Sequence, residues 1–294
     1  MASLRQIRRR MRSVENIHDI TKAMEMIAGF RYKKAEGRLH KAKPYFTEMQ
    51  KLVANLSSAA VANGEDSAIM SNPFFQKRNV RAKALIVMTA DKGLCGAYNT
   101  NLLKMASEWQ AQNGGFQASF VPVGKVASEF FRRRGLPVLF SYLEKGLADP
   151  ALARKITEDL KKDFLSGKVD SVEVLYTVHR LGGTGKNQIE PFLALDYLLK
   201  GGEAKSTAGI DYIYEPDLNH VYVPLLERFL EGKLYLCLLE SLASEYGARM
   251  VAMKQATDNA EEVLDNLTLL RNKTRQTSIT RELLEIVSGA NALV

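Results

Sequence analysis

The segment Asp91-Lys92-Gly93-Leu94-Cys95-Gly96 is the first place in the chain whose residue types suggest chemistry. It follows residues 82–90, an apolar run that predicts a buried strand. Glycine-containing loops after the first strand of an α/β domain often bind phosphate groups at the start of the next helix. The loop lacks the G-x-G-x-x-G spacing, so its glycines alone do not predict a dinucleotide site.

A second glycine-rich loop, Gly182-Gly183-Thr184-Gly185-Lys186, resembles the end of a phosphate-binding P-loop. Arg180 occupies the position of the required earlier glycine, and Asn187 stands where Ser or Thr would coordinate magnesium. We therefore interpret this loop as a connection between two strands.

Cys95 precedes a predicted helix, whose N-terminus would make the thiol more nucleophilic. A catalytic cysteine usually needs a positioned histidine, and none of the four histidines has a recognisable spacing to it, so we interpret Cys95 as a structural thiol. Neither H-E-x-x-H nor C-x-x-C occurs, and Cys95 and Cys237 lie far apart, as is typical of reduced intracellular thiols. We predict no catalytic residue, no metal site and no cofactor.

The middle of the chain alternates strands with helices. Strands are predicted at 82–90, 116–123, 171–179 and 187–195, and helices at 101–110, 125–134 and 149–166. This order indicates a doubly wound, Rossmann-like α/β domain over residues 80–200. An α/β enzyme of unassigned substrate is one hypothesis for such a domain.

Positive charge is concentrated at the N-terminus. The 294 residues carry a net charge of +8, and residues 1–43, with 12 Lys or Arg and 4 Asp or Glu, alone equal that excess. The charge favours an anionic partner, which could be nucleic acid, an acidic membrane surface or an acidic protein. The chain has 46% hydrophobic and 25% charged residues, so we do not predict wholesale disorder. It has no run of 18 apolar residues without a charge, so we predict no transmembrane helix.

We predict long helices at both ends of the chain. All eight prolines lie between Pro44 and Pro224, so the two ends lack the residue that most strongly interrupts a helix. In the C-terminal arm, apolar and small residues alternate in steps of four and three. They are Leu239, Ala243, Tyr246, Met250, Met253, Thr257, Ala260, Leu264 and Leu267. A sustained period of 3.5 predicts a left-handed coiled coil.

The N-terminal arm has the same rhythm with an interruption. Its stripe begins at Leu4, Ile7, Met11 and Val14, then slips by one residue to Ile17, Ile20, Met24 and Ile27. It resumes at Ala28, Tyr32, Ala35 and Leu39 and continues past Pro44 through Phe46, Met49, Val53 and Leu56. We predict helices over 1–60 and 210–294 that pair as a long antiparallel coiled coil. Helices of about 55–65 residues would extend about 80–100 Å and project from the α/β domain.

Several interpretations of these arms stay open. The helices could form a hairpin that serves only for packing or dimerisation. The arginines near the N-terminus form either a solvated face or a basic collar that binds acidic groups; they are Arg5, Arg8, Arg9, Arg10 and Arg12. Nucleic-acid binding is a further hypothesis, although aromatic residues for base stacking and a recognition-helix motif are lacking.

Five motifs in the chain resemble those of the gamma subunit of bacterial F-type ATP synthases. The first two are Ile20-Thr21-Lys22-Ala23-Met24-Glu25-Met26 and the loop Asp91–Gly96. The others are Asp211-Tyr212-Ile213-Tyr214-Glu215-Pro216-Asp217, the segment 248–260 and the segment 272–290, in the same order as in the family. The likeness covers nearly the whole chain, and the C-terminal motif is the most specific.

The resemblance implies a central-stalk rotor subunit. The terminal helices would turn inside a ring of alpha and beta subunits, and the α/β domain would contact the epsilon subunit and the membrane c-ring. Proton or sodium flow would drive rotation and so couple to ATP synthesis. The subunit itself would be non-catalytic, would bind neither nucleotide nor nucleic acid, and would lie peripherally on the cytoplasmic face of the bacterial plasma membrane.

The resemblance also implies roles for individual residues. Contacts with the beta subunit fall on Lys22, Met24, Arg249, Arg275, Gln276, Thr280 and Glu285, and the collar Arg8, Arg9 and Arg10 would meet an acidic beta-subunit loop. Tyr212 and Glu215 would contact epsilon and the c-ring. Structural roles stay open for Met24, which continues a core stripe, and for Tyr212, which could pack beneath the domain.

The chain departs from the family pattern after the first motif. Gly29-Phe30 replaces the small pair usual there, which changes the expected local fit of the shaft. The cysteine-pair insertion of plant-chloroplast relatives has no counterpart, so we expect no thiol regulation.

Overall fold

A computed structural model describes residues 3–62, 73–75, 78–143, 148–180, 185–193, 215 and 218–291. Its elements are α1 (Leu4–Ala62), β1 (Ala82–Met88), α2 (Tyr98–Gln112), β2 (Gln117–Val123), α3 (Lys125–Arg133), α4 (Pro150–Leu165), β3 (Ser171–Val178), β4 (Lys186–Leu193) and α5 (Leu218–Asn291). The chain divides into a smaller unit, Met1–Gly29 with Arg249–Val294, and a larger unit, Phe30–Ala248. Both long helices contribute to each unit.

The larger unit is built on a four-stranded sheet of order β2-β1-β3-β4. β1 pairs in parallel with β2 and β3, which confirms the α/β fold class. β4 pairs antiparallel with β3, with Val178 opposite Lys186. A parallel crossover needs a dozen or more residues, and the short connection between these strands permits only a hairpin. Val178 and Lys186, which lie before and after the glycines of the second loop, therefore belong to two paired strands, as predicted.

The sheet is covered on both faces, because alternate side chains of β1 enter different apolar clusters. Ala84, Ile86 and Met88 pack with residues of α1, α4 and α5. Leu85 and Val87 pack with residues of α2 and α3. Fully burying a side chain of this size contributes about 1.5–3 kcal/mol, which makes β1 the centre of the larger unit.

The smaller unit corrects the predicted slip in α1. Ile17, Ile20 and Ile27 are 53%, 59% and 56% exposed. Of the predicted slipped stripe, Met24 alone is half-buried. An unbroken four-and-three rhythm instead runs through buried and half-buried positions; they are Leu4, Ile7, Met11, Val14, His18, Thr21, Glu25 and Ala28.

Hydrogen bonds explain why polar residues occupy this seam. The Thr257 hydroxyl of α5 donates to Thr21 Oγ1 of α1 over 2.9 Å. The Thr21 hydroxyl donates in turn to the carbonyl of His18 over 3.0 Å. A half-buried hydroxyl costs little when it is hydrogen-bonded, so the helices keep one register instead of slipping to reach the isoleucines. A β-carbon on Gly29 would lie 3.4 Å from Met250 Sδ. Thr21 is therefore opposite Thr257 and the later Gly29 is opposite the earlier Met250, so the two helices run antiparallel.

Two prolines lie inside the long helices, which agrees with the predicted helices past Pro44 and Pro224. Pro44 lies inside α1, which has 59 residues, and Pro224 lies inside α5, which has 74. Beyond Pro44, the predicted continuation of the stripe is confirmed, because Met49, Val53 and Leu56 are buried in the core of the larger unit.

Asp170 ties together the first residues of β1 and β3. Its Oδ2 accepts hydrogen bonds from the backbone amides of Arg81 (2.7 Å) and Ala82 (3.0 Å). Burial raises the pKa of the carboxyl, but these two hydrogen bonds and the charges of Arg78 and Arg81 outweigh it and lower the pKa. Because the pKa is lower in the folded chain, the stabilisation is present above the unfolded pKa of about 3.9 and is lost as the pH falls through the folded pKa.

We expect Asp170→Asn to lower the free energy of unfolding by about 1 kcal/mol at pH 7. The difference from the parent should shrink as the pH falls below about 4, because the carboxyl is then protonated in the unfolded chain, and it should be lost once the pH passes below the lowered folded pKa. Urea unfolding at pH 7 and pH 3 measures both values. Glu108→Gln is the control, since Glu108 is an exposed carboxylate 3.9 Å from Lys104. An equal loss at both pH values would contradict the charge-dependent role.

Candidate functional site

The carboxyl edge of the sheet is where α/β domains of this type usually hold ligands, between strands whose crossovers run in opposite directions. Here that position lies between β1 and β3, and α5 occupies it. The Tyr98 hydroxyl donates to the carbonyl of Ser241 (3.2 Å), and the Ser244 hydroxyl donates to the carbonyl of Thr177 (3.2 Å). The Thr177 amide donates to Ser241 Oγ over 3.4 Å. A helix of the same chain therefore fills the usual nucleotide crevice.

The loop after β1 uses its polar groups to connect neighbouring elements. Asp91 Oδ1 accepts from the backbone amide of Lys125, at the start of α3, over 2.9 Å. Asn99 of α2 accepts from the amide of Ala90 (3.0 Å) and donates to Cys95 Sγ (3.2 Å). Cys95 is buried, and these contacts give it a structural position.

The other glycine loop is closely packed where the structure describes it. A β-carbon on Gly185 would lie 2.4 Å from the carbonyl oxygen of Val178 and 2.7 Å from Ser244 Oγ. The residue is therefore glycine because β3 and α5 approach its backbone closely. Residues 182–184 lie outside the described residues.

A buried polar cluster lies between β3, β4 and α5. The Tyr176 hydroxyl donates to Glu190 Oε1 (2.8 Å), and Lys233 Nζ lies 3.7 Å from Glu190 Oε2. Burial raises the pKa of the Cys237 thiol far above its usual range. These groups satisfy one another, and within the described residues no group of three or more His, Cys, Asp or Glu could hold a metal ion.

Predicted contact residues on α1 differ in exposure. Lys22 Nζ forms an ion pair with Glu25 Oε2 at 3.1 Å, and Met24 is half-buried beside the seam. Arg8, Arg9 and Arg10 are all exposed, and none of them forms an ion pair within 4.0 Å among the described residues. The collar is thus available for an external acidic group.

Sequence reasoning missed the exposed apolar face of α1. Ile17, Ile20 and Ile27 are each more than half exposed on one helix. The signal was present in the sequence, because the four-and-three rhythm continues without a break when polar residues are allowed at the seam. An exposed apolar strip of this kind normally marks an interaction surface.

The last turns of α5 present the second group of predicted contacts. Arg275, Gln276, Thr280 and Glu285 are exposed, and the Thr280 hydroxyl donates to the carbonyl of Gln276 over 3.0 Å. Every residue from 281 to 288 is exposed, including four large apolar side chains: Leu283, Leu284, Ile286 and Val287. Arg249, further back on α5, is half-buried.

The predicted foot contacts are only partly described. Glu215 is exposed, whereas Tyr212 lies outside the described residues. Of the helices that are described, none combines the length and apolarity needed to cross a membrane.

The fold is similar to chains in two solved rotary complexes. A chain of the Euglena gracilis mitochondrial ATP synthase (OSCP/F1/c-ring) aligns with a TM-score of 0.66 and 18% identity, covering 99% of this chain and 94% of that one. A chain of the Tetrahymena thermophila mitochondrial ATP synthase central stalk and c-ring aligns with a TM-score of 0.60 and 21% identity, covering 81% and 99%. The combination of long terminal helices and a small α/β domain is thus the fold of chains found in ATP synthases.

Sequence relatives define the family more closely. A family profile described as ATP synthase matches residues 3–293. The ATP synthase gamma chain of Cupriavidus necator is 39% identical over 300 residues, covering 100% of both chains, and that of Solibacter usitatus is 40% identical over 299 residues, covering 99% of both. The chain belongs to the ATP synthase gamma chain family.

Proposed function

We propose that this chain is the central-stalk rotor subunit of a bacterial F-type ATP synthase. It couples rotation of the c-ring to ATP synthesis in the alpha/beta head, or ATP hydrolysis there to ion pumping. The observation that carries the proposal is the antiparallel pair of long helices in the smaller unit, with apolar side chains exposed along α1. A surrounding ring of subunits would cover this face and the exposed end of α5.

The subunit is non-catalytic in this proposal. Ser241 and Ser244 of α5 form hydrogen bonds with Met88 and Thr177, at the carboxyl ends of β1 and β3. An α/β enzyme would hold its nucleotide at this position. ATP would therefore be bound and converted by the other subunits, and torque would pass through α1 and α5.

The proposed contacts divide between the two ends. The beta subunits would meet Lys22, Met24, Arg249, Arg275, Gln276, Thr280 and Glu285. Exposure of the last four residues supports their availability. Tyr212 and Glu215 would meet epsilon and the c-ring, and the complex would hold the chain peripherally at the cytoplasmic face of the bacterial membrane.

Co-purification tests the rotor function. A tagged chain isolated from its own membranes should bring down alpha, beta and epsilon subunits in fixed stoichiometry, and the isolated chain should not hydrolyse ATP. Nucleotide turnover by the isolated chain would instead favour an enzyme. Tight, salt-sensitive DNA binding without these subunits would favour a nucleic-acid-binding protein.

Replacing Arg8, Arg9 and Arg10 by Gln should reduce ATP-driven ion pumping per ATP hydrolysed by about tenfold at low ionic strength. Exposed ion pairs contribute about 0.2–1 kcal/mol each, and salt screens them. The deficit should therefore narrow as salt is raised, which a pumping assay in inverted vesicles measures.

The matched control is Gln substitution of the other arginine triplet, Arg132, Arg133 and Arg134, which is exposed at the end of α3. That variant should couple normally. If the collar variant kept the parent's coupling and salt dependence, the collar would have no electrostatic role.

A further inference from the structure

An open groove of about 550 Å³ lies between α1 and α5 in the larger unit, beside the first turn of α4. Its floor is apolar and includes Phe46, Met49 and Tyr235. Phe46 stacks on Phe229 with ring centroids 5.5 Å apart, which fixes the floor. Gly232 has no side chain to fill the groove. A β-carbon there would lie 3.6 Å from Phe46 Cδ2 and 3.9 Å from Met49 Sδ, which are ordinary contact distances, so a larger residue would occupy this space.

The rim of the groove is basic. Arg38 and Lys41 come from α1, Arg154 from α4 and Arg228 from α5. Glu231 is the carboxylate among the lining residues, and its Oε2 lies 3.5 Å from Arg154 Nε and 3.3 Å from Arg228 Nη1. Among the described lining residues, four are cations and one is a carboxylate, so this lining complements an acidic surface.

The lining favours a protein segment over a free polyphosphate. Phosphate sites usually use backbone amides at a helix N-terminus. Here α4 begins with Pro150, which has no amide hydrogen, and Asp149 Oδ1 already accepts from the amide of Ala151 at 2.9 Å. An apolar floor between two helices with charges along both edges is instead the arrangement that binds an amphipathic helix.

We propose that this groove docks an acidic amphipathic helix of a partner protein. Its apolar side chains would lie on Phe46, Met49 and Tyr235, and its carboxylates would face Arg38 and Lys41. Along α1 the lining extends from Arg38 to Met49, about 16 Å at 1.5 Å per residue. The docked segment would therefore have about three turns, with apolar anchors at i, i+3, i+4 and i+7.

A labelled synthetic peptide tests the proposal on the isolated full-length chain. The probe is an 18-residue helix with Leu at the anchor spacing and Glu elsewhere. Fluorescence anisotropy should show saturable binding that weakens as salt is raised. A peptide with Lys for Glu, and a scrambled peptide of the same composition without the anchor spacing, should each bind at least about tenfold more weakly, because one loses charge complementarity and the other the apolar face.

Two kinds of variant locate the binding. Arg38→Glu with Lys41→Glu reverses one edge of the rim, and Gly232→Leu fills the groove without changing charge. Each should lower the affinity for the acidic peptide by about tenfold or more. The control, Arg132→Glu with Arg133→Glu on α3, should leave that affinity unchanged. Circular dichroism and thermal unfolding check that every variant folds.

Three results would overturn the proposal. They are equal binding of the scrambled peptide, binding unaffected by both groove variants, and displacement by inorganic tripolyphosphate at concentrations below that of the peptide. The last result would assign the rim to a free polyanion.

Discussion

Gly124→Ala should destabilise the larger unit by about 3–5 kcal/mol, among the largest effects of any single methyl group in this chain. Gly124 lies between β2 and α3 with a φ of +104°, which L side chains rarely adopt. A β-carbon there would lie 2.1 Å from the carbonyl oxygen of Thr89. Thr89 cannot retreat easily, because its amide donates to the carbonyl of Val123 (2.8 Å) and its Oγ1 accepts from the amide of Ala127 (3.0 Å).

Gly135→Ala separates the clash from the backbone strain. Gly135 also has a positive φ, +65°, but nothing lies within 4 Å of the β-carbon position. It should cost only about 1 kcal/mol. Urea unfolding of the full chain measures both free energies. Equal losses would mean that backbone strain alone, and not the contact with Thr89, makes Gly124 necessary.

The sheet could be predicted from the sequence because its strands are short apolar runs between turns. The strand predicted at 171–179 is Ser171–Val178, and that predicted at 116–123 is Gln117–Val123. The order of the strands and the antiparallel pairing of β4 required the structure, because they depend on contacts between residues distant in sequence.

The seam of α1 could not be read from apolar residues alone. Thr21 is half-buried because Thr257, more than two hundred residues later, supplies its hydrogen bond. A search for apolar periodicity therefore selected Ile17, Ile20 and Ile27, which are exposed, together with the half-buried Met24. A helix pair can therefore bury polar residues that are hydrogen-bonded to each other and leave its more apolar face exposed to solvent.

The candidate site was predictable only as a set of motifs. Arg275 and Gln276 belong to a recognisable C-terminal motif, and both are exposed. In contrast, Ser241 and Ser244 are small polar residues within a helix, and neither has a motif. Their position against the ends of β1 and β3 depends on tertiary packing, so the filling of the nucleotide crevice was invisible in the sequence.

Ile20→Glu combined with Ile27→Glu should abolish coupled pumping, with a loss of tenfold or more. The two residues are seven apart on α1 and therefore share one face. In the isolated chain both are more than half exposed, so the free energy of unfolding should change by no more than about 0.5 kcal/mol. Against an apolar partner wall, each carboxylate would be desolvated without a partner, which costs several kcal/mol. ATP-driven pumping in inverted vesicles and the subunit stoichiometry of the purified complex measure the effect.

Leu143→Glu combined with Leu165→Glu is the matched control. Both leucines are about half exposed in the larger unit, at 53% and 46%, so the chemical change is the same at a different surface. This variant should pump normally. If both double variants lost pumping equally, added negative charge would explain the defect. If the isoleucine variant assembled and pumped like the parent, the exposed face of α1 would not be covered in the working complex, and the rotor proposal would lose its main structural support.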